Sequence, residues 1–226
     1  MKKDIRFLLT NSCNYDCYFC HNEGVEAKRT RKELSVEHYV TLFKVYYEME
    51  EWNGVTLSGG EPLLYRYIDT LCQRLHEEGA KITIVTNGSL LSNHLPMLKY
   101  VDRINVSIHT LTDSVYEHIT GRKNMLSHVK ETLKLVRSLY PNLEVRLNVT
   151  PCKSNGWSME ELNMILSFSK ELNSSVKMTE LFPKSDPNCI SINSLREQLS
   201  ENGYIFVETE DRTELFVKDG HNVYLT

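Results

Sequence analysis

The sequence predicts an α/β fold, a partial (β/α)6 TIM barrel over residues 1–202, with a small antiparallel β C-terminal extension over residues 203–226. Three observations lead there. Short apolar runs alternate with stretches of helical periodicity, which is the mark of parallel β/α units. About six such units fit, fewer than the eight of a closed barrel. After Gly203 the helical pattern gives way to short strand-like runs separated by turn signals.

The elements follow in order. Residues 5–10 read as a strand that runs straight into a cysteine-rich loop. Ser35 is the N-cap candidate of a helix reaching about Glu50, with His38 at its third position. Residues 54–58 form a short strand ending in Gly59 and Gly60, and residues 65–78 a helix stopped by Gly79. Residues 81–86 are a strand closed by the turn dipeptide Asn87-Gly88, and residues 90–100 are mostly helical. Strands at 102–108, 143–149 and 176–180 alternate with helices at 126–139, 159–172 and 194–202; Pro141 and Gly203 stop the first and last of these helices. Residues 204–209, 214–218 and 223–225 are the strands of the extension, which is expected to pack on the barrel, with turns near Asp211 and Gly220.

Composition narrows the function classes. A chain of 226 residues, 41% hydrophobic, can build a substantial core. A net charge of −4 argues against a nucleic-acid binder by bulk charge. The apolar part of the N-terminal segment is too short for a secretory signal, and no stretch approaches the roughly 18 apolar residues of a membrane span. A cytoplasmic location and no membrane partner are therefore expected. In a reducing compartment the six cysteines are not a disulfide framework, and Cys72, Cys152 and Cys189 read as scattered small buried or surface residues.

Cys13, Cys17 and Cys20 are different: they crowd into one loop with the spacing C-x3-C-x2-C. Three thiolates can hold three irons of a [4Fe–4S] cluster and leave the fourth iron open to a small molecule. The alternative is a zinc knuckle with His21 as fourth ligand, although structural zinc usually takes two separated ligand pairs. In a parallel β/α barrel, functional residues gather in the loops after the strands. There the sequence puts the cysteine loop, then Gly59, Gly60, Glu61 and Pro62, then Thr86, Asn87 and Gly88, then Ser107 and His109, then Asn148. Singly, each has an ordinary explanation as a turn or a strand-end polar group.

Together, C-x3-C-x2-C, Gly-Gly-Glu-Pro and the Asn-Gly after the third strand resemble the radical S-adenosylmethionine (SAM) superfamily, and the match spans most of the chain. The resemblance implies a [4Fe–4S] cluster on Cys13, Cys17 and Cys20 whose open iron is chelated by SAM. It implies that Gly59, Gly60, Glu61 and Pro62 line the SAM amino group with backbone carbonyls. Thr86, Asn87, Ser107 and Asn148 fall where the family meets the methionine carboxylate and ribose, and Phe19 where an aromatic packs on the adenine. The implied reaction is reductive cleavage of SAM to a 5′-deoxyadenosyl radical that abstracts hydrogen from a substrate, with a reducing partner such as flavodoxin or ferredoxin.

Within the superfamily the chain is most similar to the GTP 3′,8-cyclase (MoaA) branch of molybdenum-cofactor biosynthesis. Thr10, the run from His118 to Arg122, the run from Leu147 to Thr150 and the run from Thr179 to Pro183 match its pattern, with Phe182 where a methionine near the adenine is usual. The same alignment puts Arg6, Arg146 and Lys177 at basic positions used for the nucleotide, which would suit a phosphate-bearing substrate; the alternative for each is an ordinary surface charge. The departures are equally specific. That family's second, C-terminal cluster has three more cysteines; this chain ends at Thr226, about where they would begin, and Cys152 and Cys189 do not reproduce their spacing. The family's basic residues beside Gly-Gly-Glu-Pro and its Gly-Gly tail are also missing. The chain therefore reads as a shortened or truncated relative. Its expected substrate is a small molecule such as a nucleotide, nucleoside or sugar, and a peptide-modifying enzyme, a glycyl-radical activating enzyme and a zinc-binding module are the alternatives. His21 to Gly24 could cover the site, and the basic run from Lys28 to Lys32 reads as a solvated loop or a phosphate contact.

Overall fold

A computed structural model describes residues 3–20, 33–49 and 52–226, the side chains of residues 3 and 52 excepted. His21 to Gly24, the basic run from Lys28 to Lys32 and the expected helix end at Glu50 lie outside the described residues. The chain divides into two compact units, Met1–Asn105 with His128–Glu144, and Val106–Ser127 with Val145–Thr226.

In the first unit, β1 (Lys3–Leu8), β2 (Trp52–Ser58), β3 (Lys81–Thr86) and the first half of β4 (Arg103–Ser107) are neighbours in that order. β1 and β3 both pair with β2 in parallel, with Arg6 opposite Thr56 and Thr56 opposite Thr83. Val55, Leu57, Ile82 and Ile84 are fully buried, as expected of strands packed by crossover helices. Helix α1 (Val36–Tyr47) begins as anticipated, with the Ser35 hydroxyl accepting from His38 N, a cap worth about 1 kcal/mol. Helix α2 (Ile68–Glu77) buries Ile68, Leu71, Cys72 and Leu75 and is followed by Gly79 at φ +85°. It starts three residues later than expected from residue 65, because Pro62–Leu64 is a separate 3₁₀ turn. Residues 90–100 are two 3₁₀ turns, Leu91–Asn93 and Leu95–Tyr100, instead of an α-helix. Pro96 stands in the first turn of the second, and His94, at φ −123°, separates the two.

Two further helices follow β4: α3 (Asp113–Thr120) and α4 (Met125–Leu139). Helix α3 is additional to the helices expected from the sequence. Its signal was present, since Tyr116 and Ile119 are buried at helical spacing and Gly121 closes the helix at φ +67°.

The second unit takes the end of β4, then β5 (Glu144–Val149) and β6 (Ser175–Met178), with α5 (Met159–Glu171) and α6 (Ile192–Glu201) as crossovers. Its sheet continues through β9 (His221–Leu225), β8 (Thr213–Lys218) and β7 (Ile205–Glu210). The antiparallel C-terminal strands stand where the sequence puts them, and they attach by joining the sheet: β9 pairs with β6 in parallel, setting Lys177 opposite Tyr224. The edge of β6 needs hydrogen-bond partners, and β9 supplies them while burying Val223 and Leu225 completely. β7 and β8 then pair antiparallel outward, with Ile205, Phe206 and Val207 of β7 exposed. Arg196 of α6 pairs with Glu214 of β8. Among the described residues no helix is long and apolar enough to cross a membrane.

A buried polar chain ties β9 to α5. The Ser169 hydroxyl donates to Ser174 O (2.9 Å) and the Ser174 hydroxyl to Ser169 O (3.0 Å). With both hydroxyl hydrogens committed, His221 Nε2 donates to Ser169 Oγ (2.9 Å) and His221 Nδ1 accepts from the Tyr204 hydroxyl (2.6 Å). His221 is therefore neutral, and burial, with the charge of Lys170, holds its pKa down at about 4.

A folded pKa of about 4 lies below the usual histidine value of 6.5, so the unfolded chain binds more protons between the two. The His221 contribution is complete above pH 6.5 and is lost as pH falls through 4. Urea unfolding across this window should show stability falling with pH, with at most about 3 kcal/mol traceable to this group. His221→Gln should show a shallower slope; identical slopes would mean that the ring titrates alike in both states.

Candidate functional site

In the first unit the cysteine loop is built against the end of β2. Leu9 N donates to Ser58 O (2.9 Å), Gly60 N to Thr10 O (2.8 Å) and Glu61 N to Ser12 O (2.8 Å). The two segments run so close that side chains would not fit between them. A Cβ on Gly59, whose φ is +145°, would stand 2.4 Å from Thr10 O, and one on Gly60 would stand 2.2 Å from Ser12 O. The two glycines thus admit the chain's own backbone, a reason the sequence reading did not supply.

The Glu61 side chain turns inward and is fully buried. Oε1 accepts from Thr86 Oγ1 (2.7 Å) and Leu63 N (3.1 Å), and Oε2 accepts from Asn87 N (2.7 Å). Burial pushes its pKa up, while the bonds from Asn87, Thr86 and Leu63 and the charge of His94 push it down. This carboxylate fixes two turns, and Pro62 opens the buried 3₁₀ turn beside it. Thr86 Oγ1 also accepts from Gly88 N (3.0 Å).

Asn87 carries the support onward. Its Nδ2 donates to Asn14 Oδ1 (2.8 Å) and reaches Cys13 Sγ at 3.9 Å. Its Oδ1 accepts from the Ser89 hydroxyl (2.6 Å), whose oxygen accepts from Asn14 Nδ2 (2.8 Å). Asn14 and Ser89 join the network around Cys13 and Asn87 and are not among the residues expected from the sequence. Their only signal was adjacency, one directly after Cys13 and the other directly after Asn87-Gly88.

None of the three cysteines of the trio is in a disulfide; Cys13 and Cys20 are exposed and Cys17 is partly buried. They lie near enough to feel one another. Burial first, then the charges of Cys20, Cys13 and Asp16, push Cys17 up to about 12. Burial likewise raises Cys13, against a hydrogen bond from Tyr15 N at 3.4 Å. Among the described residues no group of three His, Cys, Asp or Glu side chains is arranged to hold a metal ion. The chemistry of the donor set still fits an iron–sulfur cluster: thiols alone, mutually disfavoured as bare thiolates, with N–H donors aimed at sulfur. Phe19, partly buried, stacks edge-on against Tyr18 at 5.1 Å.

The second unit holds the remaining predicted residues. Ser107 ends β4. His109 Nδ1 accepts from Thr150 N (3.1 Å), so its hydrogen sits on Nε2, and burial lowers its pKa to about 4. Asn148, whose carbonyl accepts from Ile108 N (3.0 Å), has a buried side-chain oxygen with no hydrogen-bond partner. An orphaned buried acceptor fits a ligand hydroxyl, such as that of a ribose. Asn148, Lys177 and Tyr224 form one row across β5, β6 and β9. Arg146, opposite Ser175 in the adjoining row, donates from Nε to Ser175 Oγ (3.3 Å) and lies over the Tyr224 ring at 4.5 Å. The fold thus brings Arg146, Asn148 and Lys177 together and adds Tyr224, which the sequence reading had treated as part of an extension. Arg6 lies in the first unit, exposed, beside a cavity of about 450 Å³ that Leu34, Tyr39 and Leu42 also line. Phe182 is 70% exposed on the segment after β6, and its bond to Pro183 is cis.

Gly60→Ala should destabilise the fold by more than ~2 kcal/mol, because the clash is with backbone that cannot rotate away. Gly156→Ala, whose Cβ would meet nothing within 4 Å, should cost only the strain of its φ of +66°, about 1 kcal/mol. Urea titration of both variants checks the contrast; equal losses would remove the contact argument.

Comparison with known proteins bears on the family and the fold. The sequence model of the radical SAM superfamily matches residues 7–168. The chain is 29% identical over 224 residues to a probable GTP 3′,8-cyclase of Pyrobaculum aerophilum, covering 96% of this chain and 70% of that protein. It is 35% identical over 175 residues to one of Sulfurisphaera tokodaii, covering 75% of this chain and 52% of the relative, so it spans only about half the length of that protein. Among solved structures, SuiB of Streptococcus suis bound to its precursor peptide SuiA superposes with a TM-score of 0.73 at 19% identity, over 88% of this chain and 45% of that one. TYW1 with a lysine–pyruvate adduct gives 0.66 at 18% identity, over 94% and 79%. At such identities the structures speak for the fold, a parallel β/α sheet of the partial-barrel kind. With the superfamily match running from β1 into α5 and enclosing the cysteine trio, the Gly-Gly-Glu-Pro turn and Asn87, the chain belongs to the radical SAM superfamily.

Proposed function

We propose that this chain is a radical SAM enzyme that acts on a small molecule, a nucleotide, nucleoside or sugar, with basic residues to receive a phosphate where the substrate carries one. The observation that carries the reading is the cysteine loop itself, braced by Gly59 and Gly60 on one side and by Asn87 on the other. A bound [4Fe–4S] cluster with SAM supplies, on one-electron reduction by a partner such as flavodoxin or ferredoxin, a 5′-deoxyadenosyl radical that abstracts hydrogen from the substrate.

The chain's own residues do the rest. Cys13, Cys17 and Cys20 are the ligands. Gly59, Gly60 and Pro62 offer backbone carbonyls to the SAM amino group, while Glu61 holds their turn. Thr86, Asn87, Ser107 and Asn148 face the carboxylate and ribose, and Phe19 and Phe182 the adenine. In the second unit Arg146 and Lys177 take the substrate's phosphate, in keeping with the nucleotide chemistry in the relatives' names, and in the first unit Arg6 is a further candidate phosphate contact. Residues 1–202 carry this chemistry and residues 203–226 complete the sheet that supports it.

Anaerobic reconstitution should give one [4Fe–4S] cluster and reductive cleavage of SAM to 5′-deoxyadenosine, both lost in Cys17→Ala. Stoichiometric zinc without iron–sulfur absorption would sink the reading. Tyr224→Ala should weaken anaerobic binding of GTP, used as the phosphate-bearing probe, by roughly 3- to 10-fold through loss of the stacked Arg146, while Tyr224→Phe should preserve it. Unchanged binding in the alanine variant would remove Arg146 from the substrate site.

A further inference from the structure

Cys152 and Cys189 are neither part of the trio nor scattered in space. They are directly opposite each other in an isolated antiparallel bridge within the second unit, joining the segment after β5 to the segment after β6. The flanking bond runs from Lys153 N to Asn188 O (2.9 Å), one residue beyond each cysteine. That pattern makes the two cysteines a non-hydrogen-bonded pair, the register in which antiparallel Cα atoms approach to about 4.5 Å and side chains share a face. A disulfide needs Cα atoms roughly 4.4–6.8 Å apart. Neither cysteine is in a disulfide: the Cys152 sulfur lies 3.4 Å from the Ser154 hydroxyl and the Cys189 thiol donates to Leu181 O (3.6 Å). Cys152 is fully buried and Cys189 is partly exposed.

We propose that Cys152 and Cys189 are a thiol–disulfide modification site, closed by a low-molecular-weight disulfide such as oxidised glutathione. The exposed member reacts first. The Cys189 thiolate attacks one sulfur of the oxidant, the oxidant's S–S bond breaks, and one glutathione thiol departs with Cys189 held as a mixed disulfide. Cys152 then attacks the Cys189 sulfur and expels the second glutathione thiol. The two cysteine protons end on the two glutathiones; the pair is oxidised by two electrons and one oxidant is reduced to two thiols. The product clamps together two segments already joined by the bridge and the Lys153–Asn188 bond.

The site is tested on the anaerobically reconstituted holoprotein, incubated with oxidised glutathione, quenched by alkylation and mapped without reduction. The expected result is a peptide pair linked through Cys152 and Cys189, reversed by dithiothreitol, with a melting temperature raised by roughly 5–10 °C. Cys152→Ser should instead accumulate a stable glutathione adduct on Cys189. Cys189→Ser should give neither the link nor the thermal shift. A wild-type protein that keeps glutathione on Cys189 without forming the link, that leaves both thiols unmodified, or that forms the link only after denaturation would overturn the proposal.

Discussion

The buried carboxylate of Glu61 is the constraint on which the first unit's loops depend. A charge in that position is tolerable only while every bond to it is made, because burial alone would favour the protonated acid. Thr86, Asn87 and Leu63 make those bonds, and in doing so they hold the turn after β3 against the turn after β2. Asn87 is thereby aimed at Asn14 and the Cys13 sulfur. The order of dependence runs from an internal carboxylate, through two backbone turns, to the loop where chemistry is expected. The same residue type that would mark a catalytic acid elsewhere is here a positioning group.

The second unit rests on a different principle. Its sheet is held at β9 by a neutral imidazole between a tyrosine hydroxyl and a serine oxygen, and by the apolar side chains of α5, α6 and the strands around Val223. That anchorage also puts Tyr224 beneath the Arg146 guanidinium. A polar lock on one side of the strand and a cation–π stack on the other tie β9 both to the core and to the row of Asn148, Lys177 and Tyr224.

Legibility from sequence followed the range of the interactions involved. Local signals were read well: the Ser35 cap, Gly79 after α2, and the strand that Lys81 opens all stand where they were expected. The trio and the Gly-Gly-Glu-Pro turn were legible because their spacing is itself local. Pairing was not. A period-two apolar pattern at Val223 and Leu225 is the same whether the neighbour is the preceding hairpin strand or distant β6. Residues 90–100 carried helical periodicity, but Pro96 and the break at His94 resolved them into 3₁₀ turns. The inward turn of Glu61, the Asn14–Asn87–Ser89 ring and the facing of Cys152 and Cys189 arise only when loops far apart in sequence are brought together.

The parallel pairing of β9 with β6 has a consequence for synthesis. Chain growth is vectorial, and β6 leaves the ribosome before α6, β7 and β8, all of which precede the strand that must lie beside it. Until β9 emerges, the edge of β6 offers its amides and carbonyls to whatever strand comes near, and β8 has only β7 to pair with. Pairings of such long sequence separation form slowly and leave sticky edges in the interval. The parallel pairing of β1 with β2 spans a comparable stretch, Ile5 to Val55 against Val176 to Val223, so both units pass through such an interval and depend on translation rate and chaperones to cross it.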